Sequence, residues 1–291
     1  MYDRILVPTD GSRHAEVAAR HGCRLAAEFD ATVHVLSVVD TGAYSDQLAD
    51  LDEAVRERRT ALEEQAKDAV TTVETIIDGT SDVPYESVIE HGVPYETILN
   101  YVSENDIHLA VMGSHGRGGL DRLLVGSVTE RVVRLSDVPV MAVPPSLGDQ
   151  EAVEYESILI PTDGSAAADA AVSHAVAIAD RFEATIHVLY VMGSGRGVPS
   201  PSDPARTEAE EIVGGVAEKA DKRGREVKTH VQAGSPHDRI RNFISEHGID
   251  LVTMGTHGRS GVERYLLGSV TENVLRTSDA PVITARLRNS D

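Results

Sequence analysis

Arg4-Ile5-Leu6-Val7-Pro8-Thr9-Asp10-Gly11-Ser12 decides the fold, because the chain carries it twice: Ser157-Ile158-Leu159-Ile160-Pro161-Thr162-Asp163-Gly164-Ser165 repeats it. In each copy a short apolar run reads as a buried strand and stops at Pro-Thr-Asp-Gly. The serine that follows opens the next segment as a helix N-cap. The repetition continues outward from this stretch. Ala31-Thr32-Val33-His34-Val35-Leu36 returns as Ala184-Thr185-Ile186-His187-Val188-Leu189, and His91-Gly92-Val93-Pro94 corresponds to Ala233-Gly234-Ser235-Pro236. Met112-Gly113-Ser114-His115-Gly116-Arg117 returns as Met254-Gly255-Thr256-His257-Gly258-Arg259, and Gly126-Ser127-Val128-Thr129 as Gly268-Ser269-Val270-Thr271. A tandem of two homologous domains is therefore expected, over residues 1–146 and 154–289, joined near Pro144 to Glu154.

Within the first repeat, apolar runs alternate with helical patterns. Strands are expected at Ile5–Val7, Thr32–Val38, Tyr85–Ile89, Leu109–Met112 and Val138–Val143. Helices are expected from Ser12 to about Phe29, Asp46 to Ile77, Pro94 to Asn105 and Ser127 to Ser136. Such alternation predicts an α/β domain with a parallel sheet covered on both faces. The second repeat follows the same plan, with a glycine- and proline-rich loop, Gly193 to Pro201, after its second strand.

Composition narrows the function classes. The 291 residues suffice for two cores, and no apolar run approaches the roughly 20 residues of a membrane helix. The chain enters a strand-like segment at Tyr2, so no signal peptide is expected. The single cysteine, Cys23, excludes an intramolecular disulfide and fits a reducing cytoplasm. The net charge of −20, from 47 acidic against 27 basic residues, repels nucleic acid and anionic membranes. Lysine occurs only at 67, 219, 222 and 228. An acidic, lysine-poor surface also suits a salt-rich cytoplasm, where counterions screen the repulsion.

In a doubly wound sheet, ligands bind beyond the carboxyl ends of the strands, where the strand order reverses. Pro8-Thr9-Asp10, Val38-Val39-Asp40 and the glycine loop after Met112 should meet there. Asp10 could accept hydrogen bonds from a ribose or a base edge, or cap the local turn with Gly11 and Ser12. Gly113 and Gly116 permit backbone N–H groups to face an anion, and Arg117 offers a bidentate charge. Gly126-Ser127-Val128-Thr129 opens a helix whose N-terminus is partly positive and carries two hydroxyls. The same glycines also suit tight turns and a simple cap. His115 and His257 lack a neighbouring nucleophile and read as loop-shaping groups. The remaining histidines show no metal-ligand spacing, so only Mg²⁺ arriving with a nucleotide is expected. No Gly-x4-Gly-Lys-[Ser/Thr] string occurs, which disfavours a P-loop enzyme. The first strand ends in Pro-Thr-Asp rather than Gly-x-Gly, which disfavours a dinucleotide.

Gly-x-x-Gly-x9-Gly-Ser after an apolar strand, paired with an early Pro-Thr-Asp-Gly-Ser, resembles the ATP-binding branch of the universal stress protein family, in both repeats. The resemblance implies two Rossmann-like, doubly wound domains of five parallel strands in the order 3-2-1-4-5, paired through their fifth strands as a pseudo-dimer. It implies ATP at the switch point of each domain and a role in stress survival or signalling. A homodimer of chains is compatible with it. Carried over, Pro8, Thr9 and Asp10 line the adenine and ribose side, and Val38 offers backbone contacts to adenine. Met112, Gly113, Gly116 and Arg117 surround ribose and phosphates, with Gly126, Ser127, Val128 and Thr129 at the phosphate end. The second set is Pro161, Thr162, Asp163, Val191, Met254, Gly255, Gly258, Arg259, Gly268, Ser269, Val270 and Thr271. No catalytic residue is implied; a slow ATPase or a nucleotidyl- or phosphoryl-transferring enzyme is the alternative.

If the acidic surface is adapted to salt, the thermal unfolding midpoint rises as KCl approaches molar concentrations; a midpoint that stays level or falls in a melting series contradicts the adaptation.

Overall fold

The computed structural model describes residues 1–43, 53–80, 82–114, 125–148, 153–193, 204–221, 224–258 and 267–286. They fall into two compact units, Met1–Val153 and Glu154–Asp291. The first runs β1 (Arg4–Pro8), α1 (Arg13–Phe29), β2 (Thr32–Asp40), α2 (Glu53–Asp78), β3 (Tyr85–Gly92), α3 (Pro94–Glu104), β4 (Leu109–Gly113), α4 (Ser127–Leu135) and β5 (Val140–Val143). Its strands lie in the order β3-β2-β1-β4-β5, and every pairing is parallel. The second runs β6 (Ser157–Thr162), α5 (Ala166–Phe182), β7 (Thr185–Met192), α6 (Pro204–Ala220), β8 (Val227–Ala233), α7 (Pro236–His247), β9 (Leu251–Gly255), α8 (Ser269–Thr277) and β10 (Val282–Ala285). Its order, β8-β7-β6-β9-β10, is the same in the repeat's own terms, and again all parallel.

The elements form where the apolar pattern places them. Ile5, Leu6 and Val7 have no exposed surface, as a strand covered on both faces requires. The chain moves from β1 toward β2 and, on the other side, from β4 toward β5, and with the right-handed crossovers usual for parallel strands the helices divide between two faces. α1 packs with α2, and α3 with α4. The close fit of α1 onto the sheet depends on Gly22, where a β-carbon would lie 2.6 Å from Val7 Cγ2. Ser12 Oγ accepts the Ala15 N–H at 3.3 Å to cap α1, and Ser165 Oγ accepts that of Ala168 at 3.2 Å to cap α5. Two edge-to-face pairs, Tyr2–Phe29 and Tyr155–Phe182, each 4.9 Å between centroids, join each domain's first strand to its first helix.

Two departures from the sequence pattern have physical causes. β2 and β3 run on to Asp40 and Gly92, because their mutual ladder continues after β1 has ended. The acceptor joining the starts of β1 and β4 changes chemistry between repeats. His108 Nδ1 accepts the N–H groups of Asp3 and Arg4 at 3.1 and 3.3 Å, whereas Asp250 Oδ2 accepts those of Glu156 and Ser157, both at 2.9 Å. The expected start of the long helix at Asp46, and most of the Gly193–Pro201 loop, lie outside the described residues.

Thr253 in β9 is fully buried and its hydroxyl has no partner among the described residues, while the matching residue of the first repeat is Val111. Thr253→Val removes an unpaired buried hydroxyl without changing shape, so urea unfolding should show a gain of about 1 kcal/mol; a loss would mean the hydroxyl is satisfied.

Candidate functional site

The connections from β1 and β4 leave in opposite directions, and this divergence opens a crevice at the carboxyl ends of the strands in each domain. The first wall is the Pro-Thr-Asp-Gly-Ser turn. Thr9 N–H donates to the Leu36 carbonyl at 2.8 Å, Thr9 Oγ1 accepts the Gly11 N–H at 3.2 Å, and Asp10 Oδ1 accepts the Ser12 N–H at 3.0 Å. Thr162 and Asp163 repeat the side-chain bonds with Gly164 and Ser165, at 3.1 and 3.0 Å. Gly11 and Gly164 stand at φ +71° and +76°, where a side chain would be strained. One carboxylate oxygen of each aspartate therefore closes the turn. The other oxygen of Asp163 reaches the glycine loop, since a β-carbon on Gly258 would lie 2.6 Å from Asp163 Oδ2. Pro8 and Pro161 are buried beneath these turns.

The second wall is a strand that outruns its neighbour. The Leu36 carbonyl faces β1, so alternation turns the N–H and C=O of Val38 to the same edge, past the last β1–β2 pair, Pro8 with Leu36. In the second domain Thr185 N–H donates to the Glu156 carbonyl, which by the same alternation turns Val191 toward β6, past the last pair, Thr162 with Tyr190. Both valines are half-buried.

The third wall joins strand end to helix start. Gly126 N–H donates to the Ser114 carbonyl at 2.7 Å, and Thr129 Oγ1 donates to the Gly113 carbonyl at 2.8 Å. Gly268 N–H to Thr256 (2.8 Å) and Thr271 Oγ1 to Gly255 (2.9 Å) are their counterparts. The N-caps of α4 and α8 are Gly126 and Gly268, and among the described residues no side chain caps either helix. Ser127 and Ser269 are exposed at the first helical position, Val128 and Val270 are half-buried beside them, and Met112 and Met254 are buried under the strand ends. The helix N-termini thus present their first-turn N–H groups, with their partial positive charge, at the crevice.

Four residues serve ends other than direct ligand contact. The hydroxyls of Thr129 and Thr271 are committed to the strand-end carbonyls. Gly255 answers to packing: a β-carbon there would lie 2.6 Å from the Ala167 carbonyl carbon and oxygen and 2.9 Å from Ala168 N, in the first turn of α5. His257 Nδ1 lies 2.9 Å from Thr256 Oγ1, and burial, aided by Arg286, holds its pKa below the ordinary value, so it is a neutral ring held to its own loop. His115, Gly116, Arg117 and Arg259 lie outside the described residues. Among the described residues no group of three His, Cys, Asp or Glu side chains could hold a metal ion, and no helix is long and apolar enough to cross a membrane. The strand-to-helix clamp is the feature that motif reading missed. Its signal was a threonine three residues after the helix-opening glycine, in both repeats.

The family model of the universal stress protein family matches this chain twice, over residues 1–144 and 154–286. The chain belongs to the universal stress protein family. A universal stress protein of Mycolicibacterium smegmatis is 26% identical over 294 residues, covering 98% of this chain and 97% of that protein, so the tandem is shared. One from Methanocaldococcus jannaschii is 34% identical over 140 residues, 45% of this chain and 82% of its own length, and so matches a single repeat. The crystal structure of a universal stress protein from Archaeoglobus fulgidus superposes with a TM-score of 0.74 at 23% identity, covering 98% of this chain and 99% of that one, which shows the shared fold.

Gly255→Ala should lower stability by about 1–3 kcal/mol in urea unfolding, because the α5 backbone must move to admit the methyl group. An unchanged midpoint would mean that helix and strand end are not in contact.

Proposed function

We propose that each domain holds an adenine nucleotide, ATP as its Mg²⁺ complex, in this crevice, and that the chain serves as a stress-response or signalling module governed by nucleotide occupancy. One observation carries the reading: an uncapped helix N-terminus pinned to a glycine-bearing strand end, in both domains. Such an end favours phosphate, since its free N–H groups and its dipole both point at the anion. The second oxygens of Asp10 and Asp163 suit ribose hydroxyls. The backbone edges of Val38 and Val191 offer a donor and an acceptor to a base. Arg117 and Arg259, from the loop between, would add charge at the phosphates, and the metal would come with the triphosphate. Pairing of the domains through their fifth strands, a homodimer of chains and a cytoplasmic location belong to the same proposal, and the −20 charge supports the absence of nucleic-acid partners.

The test is ligand recovery and titration. Protein denatured directly after purification should release ATP or ADP, detected by mass spectrometry, and stripped protein should bind Mg-ATP calorimetrically. The Gly126→Asp, Gly268→Asp double variant separates the site from the fold. Each cap has φ and ψ near −60° and +140°, which aspartate adopts readily. The new carboxylates cap the helices, raising stability by about 0.5–1 kcal/mol, while occupying and repelling the phosphate position. Nucleotide affinity should fall at least about tenfold. Neither recovery nor binding in the parent would overturn the nucleotide reading, unchanged affinity in the variant would overturn its placement, and turnover above the protein-free rate would make the chain an enzyme.

A further inference from the structure

The second domain holds an imidazole cluster that the nucleotide crevice does not use. His187 of β7, His230 of β8 and His247 of α7 gather around Phe243. His187 Nδ1 and His230 Nε2 are 3.2 Å apart, in rings within 11° of parallel whose centroids are 5.4 Å apart. The N···N contact plus one ring radius on each side accounts for almost all of that separation. The rings therefore meet edge to edge and share one proton in a nearly straight N–H···N bond, which leaves no position from which a metal could reach both nitrogens. His247 stacks on Phe243 at 3.8 Å, and its Nδ1 lies 3.2 Å from the Phe243 carbonyl of its own helix. His187 is 6% exposed.

The first domain places different groups at the same points. His34 stands where His187 does, and its Nδ1 lies 3.0 Å from the hydroxyl of Tyr101, the counterpart of Phe243. Val88 pairs with Leu36 as His230 pairs with Leu189, and Asn105 takes the place of His247. One histidine there faces a phenol; three in the second domain face one another.

We propose that this cluster is an acid-sensitive latch, whose protonation releases β8, the outermost strand of the second domain's sheet, and α7, the helix that follows it and packs on β6 and β7, more readily than their counterparts in the first domain. Once both rings of the pair are protonated, N–H faces N–H and the bond is lost. Each further charge is also placed beside His247 and Lys228, while Glu226 opposes them at His187. Burial is the largest cause of His187's depression to about 4, followed by His230, Lys228 and His247. Burial also lowers His230, with His247 and Lys228 adding to it. The released form, with ordinary values near 6.5, takes up more protons than the closed form. Closure is therefore fully favoured above about pH 6.5 and is progressively lost below it. β8 and α7 should open together, because Arg239 Nε of α7 donates to the Ala233 carbonyl at the end of β8 at 2.9 Å; the bond from Gly234 N–H to the Met192 carbonyl of β7, also 2.9 Å, must break as they leave.

Hydrogen exchange of the full chain, read by mass spectrometry at pH 7.5 and 5.0 and corrected for intrinsic rates, tests the latch. Exchange across residues 227–247 should rise at least about tenfold at the lower pH, with a smaller rise across residues 85–104 of the first domain, where burial lowers one histidine, His34. Combining His230→Val, Phe243→Tyr and His247→Asn gives the second domain the first domain's arrangement and should cut the rise to that of residues 85–104. Equal protection of residues 227–247 at both pH values in the parent, or an undiminished rise in the variant, would overturn the proposal. If the variant does not fold, imidazole ¹⁵N titration of the parent decides. Coupled, depressed titration of His187 and His230 with amide changes in β8 and α7 supports the latch; independent titration near 6.5 without them overturns it.

Discussion

A threonine hydroxyl bonded to the last carbonyl of a strand sets the site in each domain. Thr129 on Gly113, and Thr271 on Gly255, fix where the following helix begins relative to the strand end, and a backbone bond from the N-cap glycine fixes its direction. With two short bonds to fixed carbonyls, the helix N-terminus is held open without a side-chain cap. With glycine at the N-cap, each helix forgoes a few tenths of a kcal/mol of the stability that a serine or aspartate cap brings. The local geometry thus departs from what helix stability alone would select, in both halves alike.

The large plan was legible because it rests on patterns that packing enforces. Buried parallel strands must be apolar throughout, and amphipathic helices must return at helical spacing, so Arg4–Pro8 and Arg13–Phe29 stand where the pattern puts them. Local turn chemistry was legible for the same reason: Asp10 and Ser12 can reach only their own turn by one oxygen each. What one string of letters cannot separate is a residue with two uses. Gly255 reads as a place where an anion approaches the backbone, yet its missing side chain is needed by the first turn of α5. Thr271 reads as a spare hydroxyl, yet its partner lies 16 residues upstream. His187, His230 and His247 come from three separate elements, so no spacing rule gathers them.

The repeats agree where backbone geometry demands it and drift where only a role must be filled. Gly11 and Gly164 are both glycine because the turn needs positive φ. The acceptor at the strand starts needs only a lone pair, and histidine supplies it once and aspartate the other time. Burial raises the Asp250 carboxyl even against its two N–H donors and so favours its neutral form. Gly22 and Ala175 differ by one methyl group: a β-carbon on Gly22 would lie 2.6 Å from Val7 Cγ2, whereas the second repeat buries one at Ala175.

Val38 and Val191 owe their position to a difference in length between neighbouring strands. A peptide edge exposed in this way belongs to no side chain, so among point substitutions only proline removes its donor: isoleucine or threonine in place of valine would leave the same N–H and C=O facing the crevice. Only an insertion or deletion that lengthens β1 or shortens β2 would close that edge. Any specificity resting on it is inherited through the lengths of segments, and can outlast side-chain divergence as extensive as that between the two halves of this chain.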